Sequence, residues 1–368
     1  TFLGTCRALH PWVALDGTNF LGVGTNLKYY INEGGSYNDI TPIRLTSGAG
    51  DATFATGVDT IDGAIDAVAI SILLDSVTGF PASGRIKIGS EEMTYAAIDT
   101  QTLIGVVRGV NGTTAAAHAD GAAIFCATIT VTENAHGALV NDFVTFADAA
   151  SLGGLITAAV LNQEYEITAI VSANAFQIEA RTVSSIASIT TTSGLNPTFV
   201  YSNASDTGNG GSAAVATYQI NTGLDTTISG NGWGAGTWGR GTWNSNADLS
   251  ASGQTLRIWS HDNFGEDLII NVRDSGLFYW DKTNGLSTRA VALSSLSGAN
   301  KVPTIAKQVI VSDRDRHVIA FGCDSETDPG TQDPLLIRFS DQENVAEWQS
   351  LATNTAGDLR IGSGSKII

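Results

Sequence analysis

The chain has 368 residues with 19 Lys and Arg against 36 Asp and Glu, and the resulting formal charge of −17 excludes a nucleic-acid clamp, which neutralises phosphates with clustered cations. Apolar residues make up 43% and charged residues 15%, which excludes a largely disordered chain and leaves enough apolar surface for two or three domain cores. The run 67–74, apolar but for Ser71, falls far short of the roughly 18 residues that a membrane span needs, so none is expected.

Helical periodicity is almost absent, and short Val, Ile, Thr and aromatic runs alternate with turn pairs such as Asp16-Gly17, Asn111-Gly112, Ser275-Gly276 and Asn284-Gly285. This is the pattern of antiparallel meanders. Residues 1–45, with WVALDG, NFLGVG, LKYYINEGG and NDITPIR, read as a first propeller-like blade of three or four strands. Residues 46–126 read as an inserted β module, in which Arg85 and Lys87 alternate with Ile86 and Ile88 as on a half-buried strand. Residues 127–200 read as a second inserted module. Such insertions enter through a surface loop at low entropic cost.

Residues 201–252 form a Gly/Trp-rich loop region centred on GNGWGAGTWGRGTWN. Trp233, Trp238 and Trp243, spaced by five among glycines, suit a loop whose rings anchor on a partner surface or fill gaps under the blades. Residues 253–368 read as further blades. FLGVG (20–24), LIINV (268–272) and VIAFG (318–322) occupy equivalent places, each followed by a turn and a second run: LKYYI (27–31), LFYWD (277–281) and LLIRF (335–339). Repeats of about 40 residues are the mark of propeller blades. The expected fold is therefore all-β, with propeller-like platform blades and two small inserted antiparallel β modules. Three blades do not close a propeller, and 357–368 resembles the opening of another repeat. The expectation is a truncated piece of a longer protein, and the first residue is Thr without a visible signal peptide.

No catalytic, cofactor-binding or metal-binding set emerges. Asp324, Glu326, Asp328 and Asp333 in DSETDPGTQD outline a calcium loop, but Pro329, Pro334 and the missing terminal Glu break the EF-hand pattern. His10, His118, His136, His261 and His317 lack zinc-site spacing. Ser83 and Ser275 sit in no nucleophile elbow, and Glu91 and Glu92, adjacent in a strand, point to opposite faces. The glycines at 232, 234 and 236 miss the dinucleotide-binding spacing. Arg314, Arg316 and His317, interrupted by Asp313 and Asp315, read as a solvated hairpin tip. Trp259, Trp280 and Trp348, near the ends of repeat strands, read as blade packing. Cys6, Cys126 and Cys323 are too scattered for a disulfide framework, which fits synthesis in a reducing compartment.

WVALDGTNFLGVGTNLKYYINEGGSYNDITPIR, GNGWGAGTWGRGTWN, FGEDLIINVRDSGLFYWD and RFSDQENVAEWQSLATNTAGDLRIGSGS closely resemble the tail nozzle of short-tailed, T7-like bacteriophages, also called tail tubular protein B. The matches span most of 1–44 and 220–368. FPASGRIKIGSEEMTYAAI with VVRGVNGTTAAAHADG is similar to a small module that recurs in phage virion proteins. The resemblance implies a structural, non-enzymatic virion protein of the tail, made in the host cytoplasm. It implies a homohexameric ring below the tail adaptor and portal, and a closed channel that opens for DNA ejection. Members of that family are usually longer than this chain. The partners implied are further copies of the chain, the adaptor, tail fibres, and double-stranded DNA passing through the lumen without specific binding; no cofactor is implied. An acidic lining suits that passage because it repels phosphate. Trp233, Trp238 and Trp243 are the candidate ring or adaptor contacts. Two other classes remain: an adhesin or fibre-attachment protein reading host glycans through the 72–180 modules, with Tyr95 as a platform, and a tail depolymerase with convergent carboxylates.

Overall fold

Alternating β-branched and aromatic runs, each ended by a turn, give strands almost throughout the chain. The computed structural model describes residues 2–182, 198–221 and 257–364. It divides into two units, one joining Thr1–Arg44 to Thr222–Ile368 and the other comprising Leu45–Asn221.

In the first unit, β1 (Cys6–Val13), β2 (Asn19–Thr25), β3 (Tyr29–Glu33) and β4 (Ser36–Asp39) form an antiparallel meander in chain order. The expected LKYYINEGG strand stops at Glu33, because Gly34 and Gly35, at φ 57° and 88°, make a two-residue hairpin that pairs Glu33 with Ser36. β5 (Ile43–Thr46) then carries the chain into the second unit.

There, β6 (Thr53–Ala55) is followed by β7 (Val58–Thr60), β8 (Ser71–Leu73), β9 (Gly84–Ile88), β10 (Glu91–Tyr95), β11 (Ala97–Asp99), β12 (Thr102–Ile104) and β13 (Ala123–Cys126). Strands β10-β9-β13-β7 make one sheet and β11-β12-β8 another. Ile72, Ile86, Ile88, Met93, Leu103 and Ile124 fill the space they enclose. Next come β14 (Thr128–Thr132), β15 (Phe143–Ala147), a one-turn helix α1 (Ala158–Leu161), β16 (Glu164–Glu166), β17 (Ala169–Ser172), β18 (Ala175–Glu179) and β19 (Val215–Gln219). These build the sheets β17-β18-β14-β6 and β16-β15-β19-β5 around Phe146, Tyr165, Phe176 and Tyr218. This second module therefore extends past the expected 127–200 boundaries. It takes β5 from the end of the expected first blade, β6 from within the expected 46–126 module and β19 from the 201–252 region. VATYQ is an alternating strand, with Ala216 and Tyr218 buried, whose short pattern is masked by Gly/Ser-rich flanks.

Returning to the first unit, β20 (Trp259–Phe264), β21 (Asp267–Val272), β22 (Leu277–Trp280) and β23 (Val291–Ala292) form a second meander. A third contains β24 (Gln308–Val311), β25 (Val318–Phe321), β26 (Leu336–Phe339) and β27 (Gly357–Arg360). The three aligned runs FLGVG, LIINV and VIAFG fall on β2, β21 and β25, the second strand of each sheet. The fold is all-β and propeller-like, with Trp259, Trp280 and Trp348 all buried in this unit.

Candidate functional site

The first strands of the three meanders lie side by side, β20 next to both β1 and β24. Between β1 and β20 an aromatic seam forms. His10 donates from Nε2 to Asn263 Oδ1 at 2.6 Å, and its ring lies tilted against that of His261 with centroids 4.8 Å apart. Tyr29 OH donates to His261 Nδ1 at 2.9 Å, and Trp259 Nε1 donates to Thr25 O at 2.6 Å. The indole of Trp259 occupies the space where a Cβ on Gly24 would stand, so the second strand of the first blade needs glycine there. Burial, then the adjacent His10, pulls His261 down to about 4. Burial pushes the Tyr29 phenol up.

Side chains of β20 take the place of a paired strand on the other side. Ser260 Oγ donates to Val309 O at 2.7 Å and accepts from Val309 N at 2.9 Å, and Asp262 Oδ2 accepts from Val311 N at 2.8 Å. The exposed positions of these first strands are Cys6, Leu9, Pro11 and Val13 on β1 and Gln308 and Ile310 on β24, all uncharged.

Elsewhere single carboxylates organise long loops. Glu91, at 1% exposure, accepts from Arg108 Nε and NH2 at 2.7 and 2.8 Å, from the Gly109 and Ala116 amides at 3.1 and 3.0 Å, and from His118 Nε2 at 2.8 Å. Burial opposes its charge, but Arg108, the Ala116 amide and His118 outweigh that and hold the carboxyl down to about 2. Asp206 accepts from the amides of Gly154, Leu155, Ile156 and Asn203 at 2.8–3.0 Å. In the first unit Asp39 bridges Lys28 at 2.7 Å and Arg289 at 2.6 Å.

Asp324 accepts from Thr304 N at 3.0 Å, Gly330 N at 2.8 Å and the Thr304 hydroxyl. The calcium-like outline is thus an Asp-centred turn: Glu326 accepts from Ser350 N and Asp333 pairs with Arg360 at 2.6 Å, so these carboxylates are turned to separate partners. Of the other sequence candidates, Glu91 and Glu92 take separate partners, Glu92 accepting from Asn111 at 2.9 Å. Arg314 and Arg316 are exposed at the β24–β25 turn, while His317 Nδ1 donates to Ser340 O at 2.7 Å. Tyr95 is no platform. It is 3% exposed and its hydroxyl donates to Pro81 O at 2.5 Å, because its β10 position alternates with Thr94 into the module core. Trp233, Trp238, Trp243 and the glycines at 232–236 lie outside the described residues.

The Arg85/Lys87 face, read as half-buried by alternation, is covered by the segment 198–203. Arg85 sits over the Phe199 ring at 3.9 Å and Lys87 over Tyr201 at 5.4 Å, two cations matched to two rings at the same two-residue spacing. Sequence reading missed this pairing, since 110 or more residues separate the partners. The glutamate–arginine–histidine centre had a signal in the quoted EE…RGVNGTT…H run, but only the fold shows that one carboxylate serves all its donors.

Among the described residues no helix is long and apolar enough to cross a membrane. No protein-family model and no curated protein matches the chain. Among solved structures it is similar to the phage phi92 endosialidase at 9% identity and a TM-score of 0.17, over 97% of this chain and 47% of that one. The chain thus spans about half the length of that protein, and so slight a likeness carries no argument about activity.

Proposed function

We propose that this chain is a structural component of a bacteriophage short tail, the nozzle below the adaptor and portal, forming part of the conduit and seal for genome ejection. The observation that carries the reading is the series of three four-stranded meanders whose first strands β1, β20 and β24 lie side by side in chain order. A propeller platform is what the sequence resemblance implies for such a nozzle, and this arrangement supports the reading. The net charge of −17 agrees with passage of DNA without adhesion. In this reading the chain catalyses no reaction, its partners are further copies of itself, the adaptor and tail fibres, and its place is the virion tail. Trp233, Trp238 and Trp243 remain the proposed ring or adaptor contacts.

Native mass spectrometry and electron-microscopy class averages test the reading. A six-fold ring with an axial hole as wide as a DNA duplex is expected. A trimer without an axial channel would overturn it in favour of a fibre or spike.

A further inference from the structure

We propose that the cleft between the two modules of the second unit binds a small ring-bearing carboxylate, an acidic sugar residue or an aromatic acid, with Lys87 as the anion contact. The cleft measures about 430 Å³, within the range of about 300–1,000 Å³ usual for small-molecule sites. Phe125 and Lys87 are direct register partners on β13 and β9, so both stand on the same face of their sheet, opposite the core residues Ile86, Ile88 and Ile124. Tyr201 from the crossing segment, and Leu155 and Val160 from the loop and helix of the second module, complete the walls.

Lys87 differs from its neighbour Arg85 in one decisive way. Arg85 faces Glu179 at 3.5 Å and Glu92 at 3.8 Å. Glu92 stands directly across from Lys87 in the ladder, yet it is turned to Arg85 and Asn111. Among the described residues no ion pair engages Lys87, whose ammonium meets only the Tyr201 ring. A lone cation beside apolar and aromatic walls attracts a carboxylate more strongly than it would in open water. The rings of Phe125 and Tyr201 offer stacking faces to the body of the ligand. The overall charge of −17 weighs against a polyanion, whereas one carboxylate read at contact distance is largely screened from that field. The inference is independent of the nozzle reading.

The test is ligand-observed NMR titration of the full chain with glucuronate and with benzoate, each compared with its uncharged counterpart, glucose or benzyl alcohol. One carboxylate is expected to bind with a millimolar Kd, about tenfold tighter than its neutral counterpart. Lys87→Gln should abolish that preference. Leu155→Glu, at an exposed position of the wall, should weaken binding by about tenfold with an unchanged circular dichroism spectrum. Preference for glucuronate assigns the site to acidic sugars, and preference for benzoate assigns it to aromatic acids. Binding of neither carboxylate, or a preference that survives Lys87→Gln, overturns the proposal.

Discussion

The two units solve the same problem, holding small four-stranded sheets together, by opposite means. In the blade unit each sheet is made of consecutive strands, and neighbouring sheets are joined by aromatic rings and short polar side chains: Trp259 on Thr25, Tyr29 on His261, Ser260 and Asp262 on the β24 backbone. In the insert unit the sheets are interleaved, β5, β6 and β19 arriving from distant parts of the chain, and the long connections are tied down by buried carboxylates such as Glu91 and Asp206. Local strand pairing leaves short turns that hold themselves. Non-local pairing leaves loops whose amides have no ladder partner, and a carboxylate that accepts several of them is an economical substitute. The first unit, where the half-buried Asp39 and the buried Asp324 are also organising carboxylates, should therefore depend more on packing, and the second more on charge.

The most severe test is Trp259→Ala. Removing a 4% exposed indole that fills the space above Gly24 should destabilise the blade unit by about 4 kcal/mol. Hydrogen exchange should report the loss in β1–β3 and β20–β22, with the insert unit unchanged. Equal loss of protection in both units would break the comparison.

Glu91→Gln is the counterpart on the other side. It leaves the buried Arg108 without its counter-ion, and about 3 kcal/mol should disappear from the insert unit, read as a shifted denaturation midpoint with faster exchange at Gly109 and Ala116. Glu91→Asp should recover part of it if charge, rather than side-chain length, is decisive.

Acid should separate the units in a defined order. His261 is held at about 4 against an ordinary 6.5, so the unfolded chain takes up the proton first as pH falls, and the blade unit loses stability between pH 6.5 and 4. Glu91 is held at about 2 against 4.5, so its contribution is intact above pH 4.5 and is lost only between 4.5 and 2. Each contribution is on the order of 3 kcal/mol. Exchange followed against pH should show the blade unit opening first, and His261→Gln should flatten its upper limb. The reverse order would show that packing and charge are not divided between the units in this way.

The smallest expected effect concerns thiols. Burial pushes Cys126 and Cys323 up to about 12, while Cys6 is exposed on β1. A thiol reagent at neutral pH should label Cys6 alone in the native chain, one equivalent rising to three on denaturation. Native labelling of Cys126 would mean that the junction between the two modules opens readily.

The blades were legible in the sequence because everything they need is local: alternation, a turn pair and a repeat that returns within about 40 residues. Alternation also placed Arg85 and Lys87 opposite Ile86 and Ile88, and kept Glu91 apart from Glu92. What covers a face, however, is not written in the strand that bears it. Tyr95 looked like an exposed platform until β10 placed it in the core, and VATYQ looked like loop until β15 paired with it. Phe199 and Tyr201 reach Arg85 and Lys87, and one carboxylate gathers Arg108, Ala116 and His118, only after long chain segments close. The sequence by itself determined the strands, their turns and the repeat, since these follow from short-range sterics and side-chain period. Which strands interleave, which cation stays unpaired and which histidine is buried beside another were decided by tertiary structure, because contacts across many residues depend on where the whole chain runs.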